Sequence, residues 1–571
     1  MTVFTTLKQE IRRKPGRILL FLLMLLLLTD MAIHVPMERS PDEKMRSDIP
    51  FWIAENDRLP TGFEPELLDN IWGFSYATMP YLPALPGALL IKAASALGGD
   101  FRQCLIACRF VNVFAALGCL LLSFQIGDML FGGGSRTWLF VLISCFLPQF
   151  LVCGAYFNND VPALFGIYLT LYALLRATRS GWSVRDCVLL SAALSVIVLC
   201  YYNAYGWLLV SVVYGFASCS RACPPEEKKG FVLKRFSLVF GLVVLFCGWF
   251  FVRNALLHDG DFLGRDTANR LAEARAAQGY SVHFGRPSAD TGISFFDLMR
   301  SPQWWDYTVD SFFGRFGLMD LLVDRRLNRA FLLLVCFGVP WGIFALSRRR
   351  YAKAELSCLA VMLLIPVLLS LKYSYSYDYQ PQGRYIFPLL PALAVLVSAG
   401  YGFLDFLGEK YLLRRRASPG GADAAPERLS VGLFSSAAAI LLLALTLTVF
   451  VSTIEKELVF RPHELLSWTA DGGELELGVE YHDPDIYDSV NVAVWTAPDQ
   501  SDIQWLPLKK EPLGGSWEEY FWKISVDLPE EWVSDFCYLH FYGFRDDPRF
   551  EPKFLFDKIL TQDSDGYVRL K

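Results

Sequence analysis

The sequence has little from which a metal site or a disulfide framework could be built. Its 571 residues include only six histidines, and no HxxxH or CxxC spacing occurs, so histidine and cysteine offer no metal site. Of the thirteen cysteines, only Cys537 lies in the C-terminal tail, which excludes a disulfide framework there. The other cysteines lie mostly inside apolar runs, where cysteine acts as a small hydrophobic residue.

Charge is also sparse. Charged residues make up 19% of the chain and hydrophobic residues 53%, and the mean hydropathy is +0.33. The net charge of −5 and the lack of a basic stripe argue against nucleic acid as a partner. The apolar residues instead come in long uncharged runs, which indicate an integral membrane protein.

Eleven apolar runs emerge from a window of about 19 residues. We therefore expect an all-α polytopic membrane domain of about eleven transmembrane helices over residues 1–452. With the N-terminus in the cytoplasm, the basic connections fall on the cytoplasmic side, as the positive-inside rule requires. The runs lie near residues 18–35, 108–130, 137–156, 161–177, 186–202, 204–219, 236–252, 329–347, 355–371, 385–405 and 432–452.

Tyr81–Leu97 is a further apolar segment, and counting it as a span would reverse the orientation of everything after it. The segment is short, contains Pro83 and Pro86, and carries Lys92. A reversed orientation would also place the basic connections at 176–185 and 221–235 outside. We therefore predict a helix that lies along or dips into the membrane interface.

Three regions then lie outside the membrane: loops at about 36–108 and 253–328, and the tail. The tail alternates apolar and polar residues in short β-rich segments such as Val490–Trp495, with Gly, Pro and Asp between them. This pattern predicts an extracytoplasmic, β-sandwich-like domain over residues 453–571.

Asp42 and Glu43 form an acidic pair a few residues beyond the first span, on its outer side. A carboxylate at the membrane surface can accept a proton from an acceptor hydroxyl while a lipid-borne donor lies in the adjacent leaflet. Asp42 and Glu43 are therefore candidate catalytic residues, a general base and its partner. The alternative is a solvated acidic loop, since Glu38 and Asp48 also lie nearby.

Other polar residues flank the predicted spans on the same outer face. Asp160 follows the third span, where an acidic residue is also an ordinary helix cap. Arg384 and Tyr385 open the tenth span at headgroup depth, where a guanidinium can bind phosphate bidentately or simply anchor the helix. Arg253 and Arg109 are secondary phosphate candidates, each with the same structural alternative.

The acidic residues also leave room for a metal of another type. Asp42, Glu43 and Asp160 are ligands of the kind that Mg²⁺ or Mn²⁺ takes, so a divalent cation is compatible with them. Nothing in the sequence requires such a cofactor.

Four short motifs carry a resemblance over roughly residues 1–405. The arrangement resembles the GT-C superfamily of membrane glycosyltransferases, and more closely a bacterial GT-C-like family catalogued as a domain of unknown function. The motifs are Pro41-Asp42-Glu43, Trp249–Asn254 leading to Gly260–Gly264, Ser311–Gly317, and Gln382-Gly383-Arg384-Tyr385 before a proline-containing helix.

The resemblance implies transfer of a sugar from a polyprenyl-phosphate donor with inversion at the anomeric carbon. It assigns Asp42 as the base and Arg384 as a lipid-phosphate ligand. The residue after the acidic pair is often proline in the closer family and is Lys44 here. A lysine there could lower the pKa of the pair or bind phosphate itself, so Lys44 joins the candidate substrate-binding residues.

The expected partners are therefore a polyprenyl-phosphate-linked sugar, membrane lipid and a cell-envelope acceptor, either a glycan, a lipid or a protein. The expected location is a bacterial inner membrane. One alternative is a polysaccharide polymerase or ligase that uses a diphosphate-linked oligosaccharide, for which the arginines of the second outer loop would serve. Another is a non-enzymatic flippase of lipid-linked sugars, although transport sites normally lie at the middle of the bilayer.

Overall fold

The computed structural model divides the chain into two units, Met1–Leu458 and Val459–Lys571. The described residues are 15–35, 37–69, 72–223, 225–278, 282, 284–349, 352–416 and 432–459, followed in the second unit by 470–471, 474–481, 489–495, 503–513, 519–527, 536–544, 553–562 and 568–570.

The first unit is mostly helical. Short 3₁₀ turns at Tyr76–Thr78, Tyr202–Ala204 and Gly383–Leu389 carry site residues, and a π-helix spans Phe450–Leu458. The helices are α1 (Pro15–His34), α2 (Glu43–Asn56), α3 (Ala84–Ala96), α4 (Phe101–Phe131), α5 (Ser135–Cys145), α6 (Pro148–Ala155), α7 (Asp160–Ser180), α8 (Val184–Cys200), α9 (Gly206–Cys219), α10 (Lys228–Leu257), α11 (Arg265–Ala277), α12 (Phe295–Met299), α13 (Pro302–Phe313), α14 (Arg325–Ser347), α15 (Ala352–Ser376), α16 (Leu390–Arg416) and α17 (Leu433–Val449), with strands β1 (Arg315–Phe316) and β2 (Leu321–Leu322) between α13 and α14.

Eight helices of the described chain are long and apolar enough to cross a membrane, and a ninth span results if α5 and α6, bent by 54°, count as one. The predicted count of eleven is therefore not confirmed. The difference lies in α8 and α9, which have 17 and 14 residues. At about 1.5 Å per residue, neither reaches the roughly 30 Å of hydrocarbon that a perpendicular span must cover.

Most of the apolar segment at 81–97 forms helix α3. Its 13 residues are too few to cross a bilayer. Lys92 pairs with Asp57 at the end of α2, and the Leu82 amide donates to the Leu199 carbonyl. The segment is thus a short helix held against its neighbours, in agreement with the prediction that it does not span.

An apolar core lies behind α2. Ile49 and Trp52 of α2 pack with residues of α3, α4, α8 and α10, among them Ile91, Cys108 and Phe250. Burial of a large apolar side chain stabilises a fold by about 1.5–3 kcal/mol. This core therefore fixes the position of α2, whose first turn carries the acidic pair.

Ion pairs and capping boxes stabilise several helix ends of the first unit. Arg17 at the start of α1 lies 2.7 Å from Asp128 near the end of α4, and Arg176 lies 3.0 Å from Asp186. Capping boxes start α4 at Asp100 and α8 at Ser183. These contacts satisfy the end groups of antiparallel neighbours and set where each helix begins.

The described strands of the second unit form one antiparallel sheet of eight strands in the order β10-β9-β8-β5-β6-β7-β4-β3. Strand β5 pairs with both β6 and β8. The β-rich segments of the tail are therefore strands, and the β-sandwich stays a prediction. The strands are β3 (Ala470–Asp471), β4 (Glu474–Tyr481), β5 (Ser489–Trp495), β6 (Gln504–Leu513), β7 (Glu519–Asp527), β8 (Phe536–Phe544), β9 (Lys553–Gln562) and β10 (Val568–Leu570).

The orientation can be tested by cysteine labelling with a membrane-impermeant maleimide. Glu55 at the end of α2 and Arg185 at the start of α8 are both exposed. We expect Glu55→Cys to react in intact cells and Arg185→Cys to react only after permeabilisation, because the positive-inside rule places the basic ends in the cytoplasm. The unsubstituted chain gives the background from the native cysteines. Labelling of Arg185→Cys in intact cells would contradict the orientation.

Candidate functional site

Asp42 precedes α2 in the left-handed conformation, with φ 63° and ψ 1°. Aspartate is one of the few residues other than glycine that enter this region readily. Although Asp42 stands at the N-cap, its carboxylate caps no helical N–H group. It instead accepts a hydrogen bond of 2.6 Å from Arg384, while 24% of the side chain stays exposed.

Arg384 is buried, with 4% of its side chain exposed. Its Nη2 donates to Asp42, its Nε donates to Gln382 at 2.7 Å, and its Nη1 lies 3.8 Å from Asp160 Oδ2. The preceding Gly383 allows this placement, because a Cβ there would lie 2.2 Å from the backbone nitrogen of Phe312. The Ser311–Gly317 motif thus packs against the Gln382–Tyr385 motif and supports the position of Arg384.

Asp160 is the first residue of α7, and 3% of its side chain is exposed. Its Oδ2 is buried and has no hydrogen bond among the described residues. The Val161 amide in the first turn of α7 is capped by Asn158 Oδ1 and not by Asp160. The Asp160 carboxylate is therefore directed towards Arg384.

Arg46 completes this cluster, and the sequence analysis missed it. It lies one helical turn after Asp42, a spacing that places both on one face of α2 and could have identified it. The Arg46 guanidinium carbon lies 4.0 Å from the ring centroid of Tyr76 and 5.6 Å from that of Tyr201. Only 7% of Arg46 is exposed.

Electrostatics keep Asp42 ionised. Burial raises the pKa of this carboxyl, but the charges of Arg384 and Arg46, with hydrogen bonds from Arg384 and Tyr76, outweigh it. The pKa of Asp42 therefore lies below its usual value of 3.8. An ionised carboxylate with an exposed edge can accept a proton from a bound hydroxyl.

Glu43 and Arg109 differ from their predicted roles as catalytic partner and phosphate ligand. Arg109 Nε and Nη2 grip the two Glu43 oxygens at 2.8 and 2.6 Å, and Glu43 also accepts from the Phe157 amide. Arg109 Nη1 donates to the carbonyls of Ala32 and Val35. With side-chain exposures of 2% and 0%, Arg109 and Glu43 satisfy each other inside the protein, so neither reaches a substrate.

Arg253 and Lys44 also lie apart from the cluster. Arg253 donates to the carbonyls of Leu59 and Pro60 and so holds the chain after α2. Lys44 is exposed on the first turn of α2, where its carbonyl accepts from Ser47. Lys44 points away from the cluster because adjacent residues of a helix, here α2, point to different sides.

Tyr385 contributes to the cluster through its ring. The Arg384 guanidinium carbon lies 5.1 Å from the Tyr385 ring centroid, and Tyr373 approaches that ring edge-on at 6.0 Å. Further out, Arg265 lies between the rings of Tyr202 and Tyr377. Of the tyrosines before the tenth predicted span, Tyr373 therefore lies beside the Arg384–Tyr385 contact, whereas Tyr375 and Tyr379 pack against the core around Trp304.

The divalent cation that the sequence left open finds no ligand set among the described residues. Asp42, Glu43 and Asp160 do not form a metal site, because Arg109 occupies both oxygens of Glu43. Within the described ranges, no group of three or more His, Cys, Asp or Glu side chains could hold a metal ion. The two remaining carboxylates face guanidinium groups instead.

The buried pair makes a prediction about stability. Glu43→Gln leaves the Arg109 charge buried without its counter-ion, and breaking such a pair costs about 3–5 kcal/mol. We expect a clearly lower midpoint of thermal unfolding in detergent. Lys44→Gln, the neighbouring substitution on an exposed side chain, should leave the midpoint within about a degree because exposed charges contribute little. Equal midpoints for the two variants would contradict the structural role.

The chain was also compared with solved structures and with protein families. Among solved structures, the chain is similar to ArnT from Cupriavidus metallidurans in the apo state, with 15% identity, a TM-score of 0.44, and coverage of 76% of this chain and 77% of that chain. The same protein bound to undecaprenyl phosphate gives 15% identity, a TM-score of 0.44, and coverage of 76% and 71%. The oligosaccharyltransferase AglB from Archaeoglobus fulgidus gives 13% identity, a TM-score of 0.42, and coverage of 76% and 56%.

In sequence, no curated protein matches the chain. Residues 33–393, more than half of the chain, match the family described as predicted membrane protein (DUF2142). This stretch runs from the end of α1 to the start of α16 and contains every residue of the Asp42–Arg384–Asp160–Arg46 cluster. The chain is therefore a multi-pass membrane protein that belongs to the DUF2142 family.

Proposed function

We propose that the protein is an inverting membrane glycosyltransferase. It moves a sugar from a polyprenyl-phosphate donor to a hydroxyl of a cell-envelope acceptor, on the outer face of a bacterial inner membrane. The observation that carries this proposal is the contact between Asp42 and Arg384. It sets an ionised, partly exposed carboxylate against a buried guanidinium, next to the further carboxylate of Asp160.

The proposed reaction is a single displacement at the anomeric carbon. The acceptor oxygen forms a bond to this carbon and gives its proton to Asp42. The bond between the anomeric carbon and the phosphate oxygen breaks, and its electron pair stays on the phosphate. One base and one cationic group for the leaving phosphate are the minimum that this chemistry needs, and Asp42 and Arg384 supply them.

Donor binding would also activate Asp42. In the structure, Arg384 donates to Asp42 at 2.6 Å, and this contact helps to hold the pKa of Asp42 low. A donor phosphate competes for the same guanidinium. As Arg384 turns towards the phosphate, the Asp42 carboxylate loses a hydrogen bond and becomes a stronger base.

Asp160 would orient the donor sugar. Its Oδ2 is buried without a hydrogen bond among the described residues, and such an atom costs free energy until it finds a donor. A sugar hydroxyl can fill this role. Glu43 and Arg109 would act as positioning residues, because their pair ties the first turn of α2 to α4 and to the end of α1.

Replacement of the base tests the proposal. Asp42→Asn keeps the size of the side chain but removes the proton acceptor, so transfer should fall about 10²-fold or more. The matched control is Asp57→Asn at the other end of α2, which has the same residue type and also a positive φ, 56°. We expect normal transfer in the control.

Transfer would be measured in membranes with monophosphate-linked and diphosphate-linked polyprenyl sugars, with protein level checked in each sample. Wild-type transfer by Asp42→Asn would remove this carboxylate from the mechanism. A preference for the diphosphate-linked donor would favour a polymerase or ligase.

Arg384 allows a second test with two substitutions. Arg384→Lys keeps a charge but loses the planar fork that grips two phosphate oxygens. The loss of one charge-assisted contact is worth about 1.5–3 kcal/mol, roughly ten- to a hundredfold in rate. If Arg384 only anchors α16, lysine should serve equally well and transfer should stay unchanged.

The second substitution, Arg384→Gln, reports on the pKa of Asp42. The Arg384 charge lowers this pKa, so its removal should raise it. Transfer needs ionised Asp42, and the acidic limb of the profile of kcat/KM against pH should therefore move to higher pH in the variant. An unmoved limb would mean that another group titrates.

A further inference from the structure

Arg46 is a buried cation whose hydrogen-bond donors remain open. A guanidinium carries five N–H donors, yet among the described residues no hydrogen bond and no ion pair within 4 Å engages the side chain of Arg46. Its Nε is buried without a partner. The rings of Tyr76 and Tyr201 lie beside it, and cation–π contacts offset part of the cost of burying a charge.

The neighbours of Arg46 explain why it stays open. The negative charges of Asp42 and Asp160 attract it from beyond contact distance, but the close contacts of both carboxylates are with Arg384. Arg384 already donates to Asp42 and Gln382. Of these two buried guanidinium groups, Arg384 has used part of its donors, whereas all donors of Arg46 remain free for an incoming anion among the described residues.

We propose that Arg46, held between Tyr76 and Tyr201, is the subsite for the phosphate of the donor. This inference rests on the proposed function and deepens it, because it assigns phosphate binding to a second residue beside Arg384. The tyrosine rings hold the guanidinium plane without using its N–H groups. The planar fork is thus preorganised to bind two phosphate oxygens.

The reaction itself favours such an open cation. The donor phosphate is a diester with one negative charge, and it leaves as a monoester that carries up to two. A buried guanidinium with unused donors can take up the second charge as the bond between the anomeric carbon and the oxygen breaks. Arg384 can then return to Asp42, which has received the acceptor proton.

A structural role and an anion-binding role for Arg46 predict different effects of its removal on the stability of the protein without ligand. If its cage only held α2 in place, removal of the guanidinium would destabilise the protein in the absence of ligand. If it is an anion subsite, the empty state contains an unsatisfied charge. Arg46→Gln should then leave the ligand-free protein as stable as the wild type or more stable.

The experiment uses the full chain in nanodiscs of zwitterionic lipid. Binding of farnesyl phosphate, a short polyprenyl monophosphate without sugar, is measured together with the thermal midpoint of the free and bound protein. We expect Arg46→Gln to weaken binding about tenfold or more, with no loss of midpoint in the free state. Arg46→Lys should show an intermediate loss, because lysine offers a point charge without the fork.

Controls test the contribution of the tyrosine rings, of each part of the ligand, and of membrane lipid separately. Tyr201→Phe keeps the ring face and should bind as the wild type does, whereas Tyr201→Leu removes the face and should weaken binding. Farnesol tests for chain binding alone, and inorganic phosphate tests for the anion alone. Nanodiscs with phosphatidylglycerol show whether a lipid headgroup occupies the subsite, since it would then compete with farnesyl phosphate in the wild type and not in Arg46→Gln.

Wild-type affinity for farnesyl phosphate in Arg46→Gln, or equal binding of farnesol and farnesyl phosphate by the wild type, would overturn the inference. If the Gln variant does not accumulate, undiminished binding by Arg46→Lys overturns it in the same way. Binding that depends on Arg46 in a protein that transfers no sugar would uphold the subsite and defeat the proposed glycosyltransferase activity. The two claims therefore fail separately.

Discussion

The buried ion pair between Glu43 and Arg109 is the contact on which the rest of the site depends. It joins the first turn of α2 to α4, while Arg109 also binds the Ala32 and Val35 carbonyls at the end of α1 and just beyond it. Glu43 in addition accepts from the amide of Phe157, just before α7. Three chain segments thus meet at one carboxylate, and Asp42 is the residue directly before it.

The backbone at Asp42 explains how two adjacent carboxylates avoid each other. The left-handed conformation at Asp42 precedes the regular helix that begins at Glu43, so the side chains leave the chain in different directions. One carboxylate faces Arg109 inside the protein and the other faces Arg384 at a partly exposed edge. Each charge has its own guanidinium, and the pair divides into a positioning residue and a candidate base.

The sequence could predict the members of the cluster that topology alone brings together. Asp42, Asp160 and Arg384 follow or precede predicted spans on one face, and the structure does bring them into contact. The sequence could not assign Glu43 and Arg109, because their mutual burial depends on how α1, α2 and α4 pack. The count of eleven spans is not confirmed for a related reason, since apolar character predicted the positions of α8 and α9 but not their lengths.

Charge balance at the membrane surface links these features. Two carboxylates, Asp42 and Asp160, face two buried guanidinium groups, Arg384 and Arg46, so the charges of these four side chains balance within their low-dielectric surroundings. An anionic ligand shifts that balance, and the cluster can respond only by exchanging partners among groups already in place. Such fixed groups need little reorganisation when charge moves, which is the condition under which electrostatic stabilisation of a transition state is most effective.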